Sequence, residues 1–477
     1  MADSISQRLI GKIRSGEAFT RAEELSLVVR LAIPAILAQI ATVLMAYIDA
    51  AMVGNLGATE AAAVGIVSTT IWLCWGLGSA GITGFWVITS HDVGAKDYAS
   101  ARRMMRQGFS VSVIIGSVLA AACVALSPFL PGFLGAEGRV ASEGSLYFAI
   151  CAAAFPLSFL GYTASCMIRA TGNIRVPSVL NVAMCALDVF FNYLLIYPTR
   201  EVEFASLSFT CPGAGLGVPG AALGTVLAET VVLAPYLWYA CVKSPELRIV
   251  GERGRFLPER ETMRRAFAIG VPVGGQRAAM SLAQIGITMI VAPLGPVAIA
   301  ANSLAVTAES VCYMPGFGVA DAATTLVGQS VGAKRPDLAM RFARLTTGAG
   351  IAVMSLMGVL LFLSAHFLLG LMTNDPGVVS LGATCLRIEA FAEPMFAAAI
   401  VIYGAFVGAG DTFIPSLMNP ASLWLIRLPA SWFLAQHFGL VGVWIAMAGE
   451  LTLRGALFIL RLRSGKWLKA HHGKAPL

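Results

Sequence analysis

Charge is scarce in this chain: Asp, Glu, Lys and Arg supply 12% of its 477 residues, against about 25% in an ordinary soluble domain. A string of soluble domains is thereby excluded. Histidine is rarer still. His91, His366, His437, His471 and His472 show neither HExxH spacing nor a serine partner, which argues against a membrane-embedded enzyme. The nine cysteines include no CxxC pair and no metal spacing, and nearly all fall in apolar stretches. They read as small buried hydrophobes rather than as a disulfide framework. Low-complexity segments are absent, as is any polar stretch long enough to fold around its own core. Residues 1–27 are polar and mixed in charge, so no cleavable signal peptide is expected there and the first apolar span directs insertion.

Hydrophobic length is what the chain does have. Apolar residues make up 57% of it, gathered into runs of about 20 residues or more, enough to cross a bilayer. Twelve such runs lie at roughly 28–53, 60–90, 105–130, 144–168, 176–197, 218–241, 264–292, 297–331, 342–371, 383–407, 414–436 and 440–461. The expected fold class is an all-α polytopic membrane protein with twelve transmembrane helices.

Shifted by 238 residues, the sequence lies on top of itself. Pro34 meets Pro272, Leu56-Gly57 meets Leu294-Gly295, and Val93-Gly94-Ala95-Lys96 meets Val331-Gly332-Ala333-Lys334. Pro156 meets Pro394, Gly172 meets Gly410, Pro177-Ser178 meets Pro415-Ser416, and Asn181 meets Asn419. From Pro34 to Asn181 the shift holds without a gap. Six spans per half is an even number, so the second half enters the membrane with the orientation of the first. Two parallel repeats are therefore expected, the usual architecture of a transporter. The register breaks once, where Gly217 and Gly220 match Gly439 and Gly442 at a shift of 222, leaving an extra outside loop near Arg200 to Gly215. The expected divisions are a cytoplasmic segment (1–27), an N-lobe (28–242), a cytoplasmic linker (243–263), a C-lobe (264–462) and a basic cytoplasmic tail (463–477).

The net charge of +7 is a topology signal and does not call for a nucleic-acid partner. Arg8, Lys12, Arg14, Arg21 and Arg30 precede the first span, and Lys96, Arg102, Arg103 and Arg106 follow the second. The linker is basic, and Arg454, Arg461, Arg463, Lys466, Lys469 and Lys474 are added toward the tail. The opposite loops offer only Arg139 and Arg200. By the positive-inside rule both termini and the linker are cytoplasmic.

Charges within spans cost roughly 2.5–3.5 kcal/mol each on insertion scales, so each calls for a reason. In the C-terminal half, Arg277, Arg387 and Arg427 accompany Glu309, Glu389, Glu393 and Glu450, and buried ion pairs are expected, for example between Arg427 and Glu450. The N-terminal half holds Asp49, Asp188 and Glu229 in its deep spans, with no lysine or arginine. Acids without a base in low dielectric must be protonated or neutralised by a bound cation. Asp188 and Asn192 are four apart and face the same way on a helix, and Thr225 on the next span adds a hydroxyl. At the 238 shift Asp49 corresponds to Ile287, Asp188 to Ile426 and Asn192 to Ala430, so the cluster belongs to one lobe only. Met280, Met314 and Phe317 suit an adaptable apolar cavity. Pro34, Pro272, Pro156 and Pro394 permit bending within or at the ends of spans.

The chain resembles the multidrug and toxic compound extrusion (MATE) transporters. The likeness is carried by Ile48-Asp49 leading to Val53-Gly54-Asn55-Leu56-Gly57, and by Ala322-Ala323-Thr324-Thr325-Leu326-Val327-Gly328-Gln329. It continues in Arg169-Ala170-Thr171-Gly172-Asn173 with its partner Val407-Gly408-Ala409-Gly410-Asp411-Thr412, and in Gly217-Val218-Pro219-Gly220-Ala221-Ala222-Leu223-Gly224-Thr225. The resemblance implies two six-helix lobes forming a V around a central cavity, with alternating access driven by a proton or sodium gradient. It places the family's first-span acid on Asp49, its fifth-span polar pair on Asp188 and Asn192, and its sixth-span threonine on Thr225. In the DinF-like branch that pair commonly reads asparagine then aspartate, the reverse of the order here. The acids that the NorM-like branch carries in spans seven and ten fall on Met280 and Phe396, which brings the pattern nearer the DinF-like branch.

The function expected is a secondary antiporter of the inner membrane, exporting organic cationic or amphipathic compounds in exchange for H+ or Na+. The alternative is a flippase for a lipid-linked or polar lipid. Such proteins tend to carry basic residues in the cavity, and here only Arg277 points that way. A channel fits a parallel duplication and a single-lobe acid cluster less well. No cofactor is expected, and no metal beyond a sodium ion at Asp49, Asp188 and Asn192. The expected partners are a small-molecule substrate and the bilayer, with the protein acting as a monomer.

Overall fold

The computed structural model describes residues 2–204 and 207–469, so His471, His472 and Lys474 lie outside the described residues. A short helix, α1 (Ala2–Ser15), precedes the first lobe. That lobe runs through α2 (Arg21–Gly54), α3 (Ala58–Gly94), α4 (Tyr98–Leu126), the single turn α5 (Leu130–Phe133), α6 (Gly138–Ala153), α7 (Phe155–Ala170) and α8 (Arg175–Ile196). An antiparallel hairpin, β1 (Pro198–Phe204) and β2 (Leu207–Ala214), then leads into α9 (Val218–Trp238). The second lobe comprises α10 (Arg260–Val291), α11 (Pro296–Gly332), α12 (Pro336–Met372), α13 (Pro376–Ala390), α14 (Glu393–Ala409), α15 (Phe413–Ser422) and α16 (Leu428–Ser464), closed by a turn, α17 (Lys466–Lys469).

Long uncharged runs leave the backbone no partner in hydrocarbon but itself, which makes helix the available choice. Among the described residues nine helices are long and apolar enough to cross a membrane, and two bent pairs, α6 with α7 (46°) and α13 with α14 (58°), are so together. Pro156 and Pro394, repeat partners, open the second helix of each bent pair, where a missing N–H costs nothing. The 52-residue run Phe413–Ser464 divides at Gly439, whose φ of 58° breaks the helix in two. Twelve spans result, six on each side of the linker. The extra loop after the fifth span is the β1–β2 hairpin, which departs from an all-helical chain.

The repeat is written into the backbone as well as the sequence. Lys96 and Lys334 both adopt left-handed geometry, at φ 61° and 57°. They close α3 and α11 with the same pattern, Asp97 N–H to the Asp92 carbonyl and Arg335 N–H to the Ser330 carbonyl. Gly217 and Gly439 agree at φ 61° and 58°, in line with the shortened register between them.

The lobes meet along α2 with α11 and α3 with α10. At the end carrying α1 and the linker, here the basic face, the contacts are reciprocal. A Cβ on Gly94 would stand 2.2 Å from the Gln329 carbonyl oxygen, and one on Gly332 would stand 2.0 Å from that of His91. His91 Nε2 meets the Gly408 carbonyl at 2.8 Å, while Gln329 donates Nε2–H to the Ala170 carbonyl at 2.7 Å. All four residues are partners at the 238 shift, so each lobe grips the other in the same way. Large apolar side chains such as Leu37, Trp72, Leu363 and Leu425 remain exposed on the outside of the bundle, where lipid covers them.

Residues 1–27 are more than a polar segment. Leu9, Ile10 and Ile13 of α1 are buried, and α1 lies across both lobes. Arg14 donates to the Thr171 carbonyl at 2.6 Å and pairs with Glu246 at 2.8 Å. Arg335 of the second lobe donates to the Lys12 and Glu17 carbonyls at 3.1 and 2.9 Å. The linker is fastened too: Arg102 pairs with Glu252 and donates Nε–H to the Glu246 carbonyl at 3.2 Å.

The close helix approach at the basic face predicts a sharp difference between glycines. Gly332→Ala or Gly94→Ala forces a methyl into backbone and should lower the Tm of the detergent-solubilised protein. Gly348→Ala, with nothing within 4 Å, should leave it unchanged or raise it slightly, since alanine favours a helix by about 0.5–1 kcal/mol. Differential scanning fluorimetry of the three variants checks this.

Candidate functional site

The acids of the first lobe come together between α2, α8 and α9. Asn192 donates one amide hydrogen to Asp49 Oδ1 at 2.9 Å and the other to Asp188 Oδ2 at 3.0 Å. Thr225 on α9 gives its hydroxyl hydrogen to the Ala221 carbonyl one turn back, at 3.3 Å. Asp188 and Asn192 are each 1% exposed, while Asp49 is half-buried. Four-residue spacing on α8 gives Asp188 and Asn192 a common face. Glycine at 224 brings α9 onto them, because a Cβ there would stand 2.0 Å from Asn192 Oδ1.

No lysine or arginine among the described residues bears on either carboxyl. Asp188 Oδ1 and Asn192 Oδ1 have no hydrogen-bond partner. The amide orients two acids but does not cancel two charges. Tyr147 of α6, unmarked in the sequence, lies close enough to act on both acids. Glu229 stands apart and is engaged by the Ser158 hydroxyl.

The second lobe is organised around Glu450. It accepts from Arg427 Nη2 at 2.7 Å, meets Arg454 Nε at 3.2 Å and takes the Ser422 hydroxyl. Arg454 is not a tail charge. It lies 5% exposed within α16, one turn beyond Glu450, where the carboxylate can answer it. Arg277, Glu309 and Glu393 form no ion pair among the described residues. Glu309, Glu389 and Glu393 are buried, and both carboxyl oxygens of Glu389 and Glu393 are without a hydrogen-bond partner. Met280 receives the Gln276 amide at 3.6 Å. Met314 is half-buried on α11, whereas Phe317 is 42% exposed and meets Tyr313 edge-on. Tyr313 also tilts over Phe396 at 5.7 Å, and the Arg454 guanidinium covers that same ring.

Contacts between the lobes supply the functional residues that the sequence leaves unmarked. The Tyr47 hydroxyl, two residues from Asp49, donates to the Thr307 carbonyl of α11 at 2.6 Å. Arg169 of α7 pairs with Asp321 of α11 at 2.6 Å. Their signal was available only in part: the reciprocal His91 and Gln329 contacts follow the repeat, but Tyr47 and Asp321 make contacts that the repeat does not duplicate.

Two parallel six-span lobes, joined face to face with an acid cluster inside one of them, define a membrane transporter rather than an enzyme. The family model described as MatE matches residues 34–194 and 272–433, once in each repeat and starting 238 residues apart. The chain belongs to the MatE family. It is 24% identical over 443 residues to the probable multidrug resistance protein NorM of Thermotoga maritima, covering 92% of each chain. It is 25% identical over 453 residues to the multidrug resistance protein PmpM of Pseudomonas aeruginosa, covering 92% of this chain and 91% of that one. Among solved structures, a MOP superfamily transporter from Pyrococcus furiosus superposes with a TM-score of 0.85 at 18% identity, covering 94% of this chain and 97% of that one. The Vibrio cholerae MATE transporter VcmN in its bent form gives 0.80 at 18% identity, covering 98% of each.

Removing the centre of the Glu450 network leaves two guanidiniums buried without a carboxylate. Glu450→Ala should therefore destabilise the folded protein by about 3–5 kcal/mol. Thr452→Ala, on the exposed side of the same helix, should change stability by less than about 0.5 kcal/mol. Chemical unfolding in detergent measures both.

Proposed function

We propose that the chain is a secondary antiporter that exports organic compounds across the inner membrane in exchange for a cation bound at Asp49, Asp188, Asn192 and Thr225. The observation that carries this reading is the pair of acids joined by one amide, with no base beside them. The basic face is taken as cytoplasmic, on the positive-inside distribution of lysine and arginine. The relatives named for multidrug resistance support drug-like compounds as cargo.

A proton is favoured over sodium as the coupling ion. A single amide bridges the two carboxyls, and two acids sharing one site repel unless one of them holds a proton. Sodium at the same oxygens is the second reading, supported by the unpartnered Asp188 Oδ1 and Asn192 Oδ1. Either ion can drive the cycle only by binding one conformation better than the other. Asp49 is suited to this, since α2 also carries the Tyr47 contact to the other lobe. Met280 and Phe396 leave the second lobe without acids at the places a NorM-like site would use, and the branch assigned is the DinF-like one.

In proteoliposomes, Asp49→Asn should reduce gradient-driven export of a fluorescent organic cation to the level of empty vesicles while leaving the protein inserted and folded. Export at the wild-type rate by that variant would sink the proposal. Imposing a pH gradient and a sodium gradient in separate arms identifies the ion: proton coupling requires export with the former alone. Gly224→Ala should weaken export as well, because its methyl displaces Asn192.

A further inference from the structure

Arg277 stands alone midway along its span. It lies on α10, is exposed, and its Cδ is 3.3 Å from where a Cβ on Gly76 of α3 would sit. Gly76 thus makes room for it from the opposite lobe. That contact with α3 of the other lobe puts its place in the space between the lobes. The neighbouring side chain, Gln276, is 8% exposed with its Oε1 unpartnered.

Two other arginines within the spans each have a carboxylate. Arg169 has Asp321 at 2.6 Å, and Arg427 has Glu450 at 2.7 Å. Arg277 forms no ion pair and no hydrogen bond among the described residues, and at the 238 shift its counterpart is Gln39. An intramembrane guanidinium without a partner is costly to insert and marks a functional site. Its planar fork of donors matches a carboxylate in two parallel hydrogen bonds.

We infer that Arg277 receives an anionic group of the cargo, so that the preferred substrates are amphoteric, with a carboxylate as well as a basic or apolar portion. This rests on the export reading of the same cleft and narrows its substrate class. The acid cluster on α2 and α8 then remains free for the coupling ion, and the two charges of the cargo meet opposite signs at separate places.

The test uses one scaffold in two charge states, a rhodamine dye with a free carboxylate and the same dye as its methyl ester. Binding to the purified full-length protein in detergent is followed by fluorescence anisotropy, without any ion gradient. The wild type should bind the carboxylate more tightly than the ester. Arg277→Gln should weaken carboxylate binding about tenfold or more, with the ester changed less than about twofold and thereby reporting an intact fold. Arg277→Lys should keep part of the preference, since it retains the charge but not the fork. A wild type that does not prefer the carboxylate overturns the inference, as does an Arg277→Gln variant that loses both dyes equally or neither. Failure of antiport itself would show instead as export that ignores Asp49→Asn, a separate readout.

Discussion

A charge carried into hydrocarbon must be answered within a few ångströms, and the two lobes answer it in different ways. In the second lobe the chain supplies the answer itself: Glu450 gathers Arg427, Arg454 and the Ser422 hydroxyl. Opposite charges meet directly in that knot. In the first lobe Asp49 and Asp188 find only the Asn192 amide, which fixes positions without cancelling charge. The site is complete as geometry and incomplete as electrostatics. Duplication provided equal scaffolds, but Ile287, Ile426 and Ala430 occupy the matching places in the other lobe. The Asp49, Asp188 and Asn192 arrangement is thus confined to one lobe, while the second lobe buries acids of its own, Glu309, Glu389 and Glu393, at unrelated places.

Helix α2 is where that chemistry meets the rest of the molecule. Asn181 holds α2 to its own lobe, donating to the Ala38 carbonyl at 3.1 Å and to the Thr42 hydroxyl at 2.9 Å. Asn192 holds it again at Asp49, while Tyr47 ties the same stretch to α11 of the other lobe. Pro34 removes one internal hydrogen bond below these contacts and leaves the helix able to bend there. A proton or cation at Asp49 changes what Asn192 must balance between two carboxyls. The Tyr47 contact lies within one turn of that change, so the lobe interface and the ion site share a lever arm too short to flex independently.

Much of this was legible in the sequence, and the parts that were not have a common cause. Twelve spans, their grouping by six and the 238 shift all follow from hydrophobic length and repeated glycines and prolines. The Asp188 and Asn192 pairing is also local, since helical spacing alone puts both on one face. Contacts between distant helices were hidden. Nothing in a sequence tells that Asn192 will divide its two donors between Asp188 and Asp49, or that Gly224 is glycine because Asn192 lies against it. Arg454 looked like a tail charge because it sits in a basic stretch; burial beside Glu450 depends on how α16 packs. Helix α1 is too short and too polar to announce itself, although Ile5, Leu9 and Ile13 already mark one face at a spacing of four.

The symmetric and asymmetric contacts at the basic face do different work. Gly94 on Gln329 and Gly332 on His91, with the matched hydrogen bonds to Gly408 and Ala170, form a twin pair about one axis. Rotation of the rigid lobes about that axis breaks both members together, whereas a single latch would let one lobe peel from the other. Uncharged hydrogen bonds and close backbone contact suit such a seam, because each half costs little to hydrate when it opens. Arg169 and Asp321 break the symmetry, with Val407 and Thr83 at the matching places. Arg341 and Glu24 form a second ion pair between the lobes at 3.0 Å, and both pairs are partly buried, where salt screens them weakly. Together they hold the lobes at the basic face more firmly than the twin contacts alone would.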